Sequence, residues 1–413
     1  MLKIKNAKNS KTMKWCIIII LFVLLFLIHK KIKNIIYTYD DSTYFTTWTA
    51  SIHPTKSPPI KLDNNSIRQI IRVSSSGEKI RIKFSNLLGK NDLVIKKVSI
   101  ADIVSNSEVN MKTMKYITFM GKKGLVIGKG EEIYSDTIFY PLKEISDIAI
   151  SIYFGSVPKA ISGHVYSLTY SYIEIGNKIN KKIFSQNKKT PHWYFISAIE
   201  VSSESPKKTI VCFGDSITDG VKFNNEFRYN YPDLLFYKLL QNKETSNLSI
   251  ANQGINANRL VDQGVERYES DVLDVKGVAY IIVLYGVNDL NVIEANSQEI
   301  IEGYKQIIKK AHERNLLIYA GTIIPFGNYQ KYKYKWNKEK EKVRQETNDW
   351  IRKTKPENGG FDAFFDFDKL LKDPKNETVM KDEYDSGDGI HPSLEGNKKM
   401  VESIDDLTLF TKK

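Results

Sequence analysis

Between residues 205 and 413 five short apolar runs, near 209–213, 248–253, 279–285, 316–323 and 362–367, alternate with stretches of helical period at 232–241, 297–314 and 337–352. Connections of this length suit parallel neighbours, because an antiparallel hairpin needs only a few residues between its strands. The pattern predicts a flavodoxin-like, doubly wound α/β sheet of five parallel strands with helices on both faces and a last helix near 393–404. In such a sheet the chemistry gathers beyond the carboxyl ends of the strands. The residues that follow each apolar run are therefore the informative ones.

The first run, Thr209-Ile-Val-Cys-Phe213, leads directly into Gly214-Asp215-Ser216-Ile217-Thr218-Asp219-Gly220. Taken alone, Gly-Asp-Ser after a strand is often just a turn with Ser as a helix N-cap. Near the carboxyl end stands Asp388-Gly-Ile-His391-Pro392. A serine hydroxyl is a poor nucleophile at neutral pH and needs an imidazole within reach, together with a carboxylate that fixes the imidazole tautomer. Asp388 and His391, three residues apart on a Gly-containing loop, meet the second need locally. Two further blocks follow apolar runs: Asn252-Gln-Gly-Ile-Asn-Ala-Asn-Arg259 and Gly286-Val-Asn288-Asp289. The Asn288 amide and the backbone N–H groups of the 252–259 loop are candidates to face a developing oxyanion. Together the four blocks are the parts of a serine esterase.

In this order the four blocks resemble the SGNH/GDSL hydrolase family. The resemblance implies that Ser216 is the nucleophile and, through its own N–H, a first oxyanion donor. It implies that Asn288 is a second donor and that Asp388 and His391 complete the triad. The family's second block usually supplies a glycine N–H to the same hole, and here that position falls on Ala257 rather than Gly254. Alanine keeps the N–H but makes a positive φ costly. Arg228-Tyr-Asn-Tyr-Pro232-Asp233, Asn258-Arg259-Leu260, Ala311-His312-Glu313-Arg314, Gly321-Thr322-Ile-Ile-Pro325-Phe326 and Asp385-Ser386-Gly387-Asp388 look like the xylan-esterase-like arylesterase/acylhydrolase branch. That resemblance covers about 205–405 and implies removal of short acyl groups, O-acetyl above all, from carbohydrate. A lipase or lysophospholipase, a surface-polymer O-acetyltransferase and a glycan-binding protein with an idle catalytic domain remain open beside it.

From 44 to 203 the pattern is β. Ile80-Arg-Ile-Lys-Phe84 and the run from Ile148 to Phe154 alternate as half-buried strands do, and Gly-rich turns punctuate the segment. A β-sandwich or jelly roll is expected, loosely resembling, through Trp48-Thr-Ala-Ser51, Ile67-Arg-Gln-Ile70 and Arg81-Ile-Lys-Phe-Ser-Asn86, the β domain that precedes the same esterase branch. Tyr166, Tyr170 and Tyr172 are candidates to stack on sugars, although aromatics in strands are more often core. Three segments result: 1–36, 44–203 and 205–413.

The formal charge of +13 suggests a polyanion at first sight. Eight of the lysines lie within the first 34 residues, which contain no acid, so the folded part carries only a modest excess and implies no nucleic acid. The lysines flank an apolar run from Trp15 to Ile28. As a helix it spans roughly 21 Å, short of a ~30 Å hydrocarbon core. No A-x-A site follows it, so an uncleaved signal anchor is expected, with Ile32, Ile35 and Ile36 extending the apolar face and the catalytic part outside the cytoplasm. Secretion after cleavage is the alternative. The two cysteines, Cys16 in that run and Cys212 before Ser216, form no disulfide framework. Histidines are scattered singly, so no metal or other cofactor is expected. The charged run 331–344 reads as an exposed loop and the solvated front of a helix.

Overall fold

The computed structural model describes residues 43–204, 207–223, 229–330 and 334–412. From Phe45 onward the chain forms one compact unit. Its α/β part is a five-stranded sheet in the spatial order Ser249–Gly254, Thr209–Gly214, Val278–Leu284, Leu317–Gly321, Ala363–Phe365. Every neighbouring pair is parallel. The spacing predicted the parallel strands, and their order 2-1-3-4-5 is the flavodoxin-like winding, with the first strand at its switch point. The central strands are buried on both faces and accordingly carry unbroken apolar runs such as Val278-Ala-Tyr-Ile-Ile-Val-Leu284.

Helices begin where their caps stand. Asn296 accepts from the Glu299 N–H while Glu299 bonds back to the Asn296 N–H, and this capping box opens Ser297–Glu313. Asn337 caps Lys338–Lys353, and Ser393 caps Leu394–Glu402. The fifth strand is shorter than its apolar run because Asp366 caps a new helix, Phe367–Leu371. Elements with no clear periodic signal also appear, notably helical turns from Leu260 to Leu273 and a helix Val287–Val292.

The preceding β-rich region holds a five-stranded and an eight-stranded sheet. Ile80, Ile82 and Phe84 of one share an apolar core with Val98, Ile100, Ile148, Ile150 and Ile152 of the other. The strand Asp147–Phe154 is not half-buried as its alternation suggested. The stretch after Asn177 covers its second face, where Arg68 donates to Ser151 Oγ (2.9 Å) and to the carbonyls of Ser107, Lys181 and Lys182. Tyr172 is buried in that second core, and Lys189 lies 3.9 Å over the Tyr170 ring, which leaves Tyr166 as the exposed member of the trio.

Residues 46–51 run alongside the parallel sheet. The Thr46 carbonyl accepts from Ser249 Oγ (2.7 Å) near the sheet's amino end, and Thr49 Oγ1 donates to the Asn252 carbonyl (2.9 Å) toward its carboxyl end. The β-rich region is thereby hydrogen-bonded along the sheet to the rim where the site lies. The charged run opens the helix Lys338–Lys353 and is exposed or half-buried over most of its described residues, but its last member differs from expectation. Arg344 is fully buried and donates to Asp368 (2.6 Å), Glu341 (2.7 Å) and the Ile323 carbonyl (2.8 Å), so it faces the interior. Among the described residues no helix is long and apolar enough to cross a membrane, and the anchor expected in 1–36 lies outside them. No group of metal-ligating side chains occurs among the described residues either. Cys212 is a buried thiol of the first strand, where burial pushes its pKa up.

Candidate active site

The first strand ends at Gly214, where a Cβ would lie 2.1 Å from Thr218 Oγ1 and 2.6 Å from the Leu284 carbonyl, so only glycine permits the tight exit. Asp215 then turns the chain and caps a single helical turn, Ser216–Asp219, by accepting from the Ile217 N–H. Ser216 opens that turn, and its N–H, one of the orphan donors of a helix start, has no acceptor among the described residues. Ser216 Oγ lies 2.8 Å from His391 Nε2, and His391 Nδ1 lies 2.8 Å from Asp388 Oδ2. With Nδ1 facing a carboxylate, that nitrogen carries the proton and Nε2 accepts from the serine hydroxyl.

A dense local network shapes the loop that presents this pair. Asp385 Oδ1 accepts from the N–H groups of Gly387, Asp388 and Gly389. Asp388 Oδ1 accepts from the N–H groups of Ile390 and His391. Gly389 has φ +80, and a Cβ there would strike Asn328. Asp388 Oδ2 also receives Lys222 Nζ at 3.0 Å, a partner that nothing in the local sequence announced. Burial alone would raise the Asp388 carboxyl, but the hydrogen bond and charge of His391, assisted by Lys222, hold it far below the usual carboxylate range. Asp388 therefore stays ionised.

The remaining candidates lie on the neighbouring loops. Asn288, in the helix after the third strand, donates from Nδ2 to Asp215 Oδ2 (3.3 Å) and to the Asn258 carbonyl (3.2 Å), so its amide bridges the serine turn and the second-block loop. Ala257 is exposed at φ +59, and its N–H makes no hydrogen bond among the described residues. Gly254 differs: its N–H is taken by Asn252 Oδ1 (2.9 Å), and a Cβ there would meet the Asp219 backbone N at 2.2 Å. Of the two second-block positions, Ala257 is the one with a donor free to face a substrate. Its loop is anchored by Asp289, which accepts from the N–H groups of Leu260 (3.0 Å) and Val261 (2.9 Å). Burial pushes Asp289 up to about 6 and Asp215, beside Asp289 and Asp219, up to about 7.

A strand-exit serine, an imidazole and an ionised carboxylate are thus in line, beside two backbone donors and a carboxamide. This is equipment for acyl transfer. Residues 210–404 match the model of the GDSL-like Lipase/Acylhydrolase family. The segment is a GDSL-like acylhydrolase domain, and the protein is an ester hydrolase. No curated protein matches the chain. Among solved structures, the GDSL domain's similarities include a protein of the lipolytic G-D-S-L family from Desulfitobacterium hafniense DCB-2, at 22% identity over 48% of this chain and 97% of that one (TM-score 0.38). A GDSL-like lipase from Bacteroides thetaiotaomicron VPI-5482 is similar at 18% identity over 48% and 85% (TM-score 0.38). An acetyl xylan esterase is similar at 21% identity over 47% and 96% (TM-score 0.37).

Sequence reasoning missed the supports of the GDSL site: Lys222 on the triad carboxylate, Asp289 under the second-block loop, and Arg267, which donates to Asn258 Oδ1 and to the Gly214 carbonyl. Nothing local marked the arginine itself.

Proposed function

We propose that the protein is an extracytoplasmic serine esterase that removes short acyl groups, O-acetyl foremost, from carbohydrate. The observation that carries this reading is the unbroken relay from Ser216 Oγ through His391 to Asp388, with both hydrogen bonds at 2.8 Å. As Ser216 Oγ attacks the ester carbonyl, His391 Nε2 takes its proton, and ionised Asp388 stabilises the resulting imidazolium. The tetrahedral oxyanion is met by the N–H groups of Ser216 and Ala257 and by the Asn288 amide, which lets go of a protein acceptor to reach it. Collapse expels the sugar hydroxyl with the proton from His391 and leaves an acyl-serine. A water deprotonated by His391 attacks that ester, and carboxylate departs as Ser216 regains its proton.

The carbohydrate assignment is supported by the branch resemblance of the motifs and by the character of the open groove beside Ala257. Asn256, Asn258, Arg259, Gln263 and Glu266 line that groove, together with Pro54 of the β-rich region. Such side chains suit a polyhydroxylated alcohol better than an acyl tail. The extracytoplasmic location rests on the lysine-bracketed apolar run at 15–28. Acetate release from acetylated polysaccharides, measured beside a series of aryl esters of increasing acyl length, tests the reading. Acetate release with a steep preference for the shortest esters is expected, whereas faster hydrolysis of long-chain esters would overturn the carbohydrate assignment in favour of a lipase.

A further inference from the structure

The β-rich region touches the GDSL turn and the second-block loop through a polar network that the reaction as described does not use. Arg267, largely buried with 12% of its side chain exposed, lies at the centre. Its Nη2 donates to the carbonyls of Gly214 (3.0 Å) and Gln253 (2.8 Å) and to Tyr285 OH (2.6 Å). Its Nε donates to Asn258 Oδ1 (2.9 Å), and its Nη1 to Asp271 (2.8 Å) and to Ser51 Oγ (2.9 Å). The guanidinium also lies 4.3 Å over the Phe213 ring. Gly214 is the last residue of the strand that delivers Ser216, and Gln253 the next-to-last of the strand that delivers the second-block loop. Asn258 follows Ala257, and its carbonyl receives the Asn288 amide.

Ser51 links this hub to the β-rich region. Its hydroxyl bonds to Gln253 Oε1, and its carbonyl accepts from His164 Nδ1 (2.9 Å). His164 Nε2 meets Asp219 Oδ1 at 3.0 Å, with both side chains about 95% buried. Asp219 is the last residue of the turn that begins at Ser216. One continuous set of hydrogen bonds from a different sheet system therefore holds the nucleophile turn at its far end and the second-block loop at Asn258. A planar guanidinium with fixed donors sets distances among its acceptors, a task a flexible ammonium performs poorly.

We propose that Arg267 is a positioning residue of the esterase site and that the β-rich region, through Ser51 and His164, acts with it to hold Ser216 and the Ala257–Asn288 donors in register. The proposal rests on the serine esterase reading above. It makes the β-rich region part of the catalytic apparatus as well as a neighbour packed against it.

Ser51→Ala, His164→Gln and Arg267→Met are compared with the full-length wild type on an aryl acetate. Active sites are counted by stoichiometric phosphonylation, so that misfolded molecules do not enter kcat. Displacing reacting groups by a fraction of an ångström to 1 Å costs up to about a hundredfold. The expected result is a fall in kcat per titrated site of about tenfold for Ser51→Ala and about a hundredfold for Arg267→Met, with KM within threefold and a matching drop in phosphonylation rate. A merely structural role lowers the count of active sites and leaves kcat per site unchanged. Should Arg267→Met fail to fold, Ser51→Ala and His164→Gln decide. If kcat per site in these stays within twofold of wild type, the proposal is overturned. Absence of phosphonylation in the wild type itself signals failure of the esterase reading instead, so the two failures are distinguishable.

Discussion

Ala257 stands at φ +59, a backbone conformation that costs an L-residue with a Cβ about 1–2 kcal/mol relative to glycine. Replacing it with glycine removes that strain and, because Ala257 is exposed, opens no cavity. Against this gain, glycine widens the unfolded ensemble at a cost of about 0.4–1 kcal/mol. The balance for Ala257→Gly is a stabilisation of roughly 0.5–1 kcal/mol, visible as a rise in Tm of about 1–4 °C. The N–H is retained at the same place, so kcat on an aryl acetate stays within a few-fold of wild type. Ala257→Pro is the contrasting variant: it removes the N–H, and its ring fixes φ near −65°. Differential scanning calorimetry and initial rates on both variants provide the test. A lower Tm for Ala257→Gly would refute the strain argument, and an active Ala257→Pro would remove Ala257 from the oxyanion hole.

Asn288→Ala is expected to lower kcat by about a hundredfold or more with little change in KM, because the amide matters chiefly when charge develops on the carbonyl oxygen; steady-state kinetics checks this. Asp215, raised from 3.8 to about 7 by burial, keeps a proton in the folded state that the unfolded chain gives up near pH 4, so its contribution to stability falls as pH rises from about 4 to 7. Asp215→Asn, which cannot titrate, should therefore gain Tm relative to wild type between pH 4.5 and pH 8, and equal differences at both pH values would contradict the assignment. Arg344→Met leaves Asp368 buried with Arg352 as its remaining ion-pair partner among the described residues and should destabilise by about 3 kcal/mol or more in urea titration, a loss that an exposed charged helix face would not show.

The parallel sheet was legible because its strands and helices announce themselves over a few residues, by apolar runs and by caps such as Asn296 and Ser393. The residues of the site were legible for the same reason, since each stands directly after an apolar run or inside a Gly-containing loop. Its supports were not. Lys222 reaches Asp388 across 166 positions and Arg267 reaches Ser51 across 216, and a lysine or an arginine in a helical or turn segment has no local mark that distinguishes a buried hub from a solvated charge. The same blindness misplaced Arg344, whose sequence neighbours are charged and whose spatial neighbours are Asp368 and Ile323. The strand Asp147–Phe154 turned out more buried than its alternation implied, because the polar stretch after Asn177 folds over it and no period predicts a cover supplied from elsewhere in the chain.

Covalent labelling decides whether Ser216 is the nucleophile. Wild-type protein treated with a serine-directed phosphonate is digested and its peptides weighed, in parallel with Ser216→Ala. One adduct is expected, on the peptide that carries Ser216, formed in step with the loss of ester hydrolysis, and neither labelling nor appreciable hydrolysis in the variant. An adduct elsewhere, or a Ser216→Ala protein that hydrolyses aryl acetate within about tenfold of the wild-type rate, would contradict it.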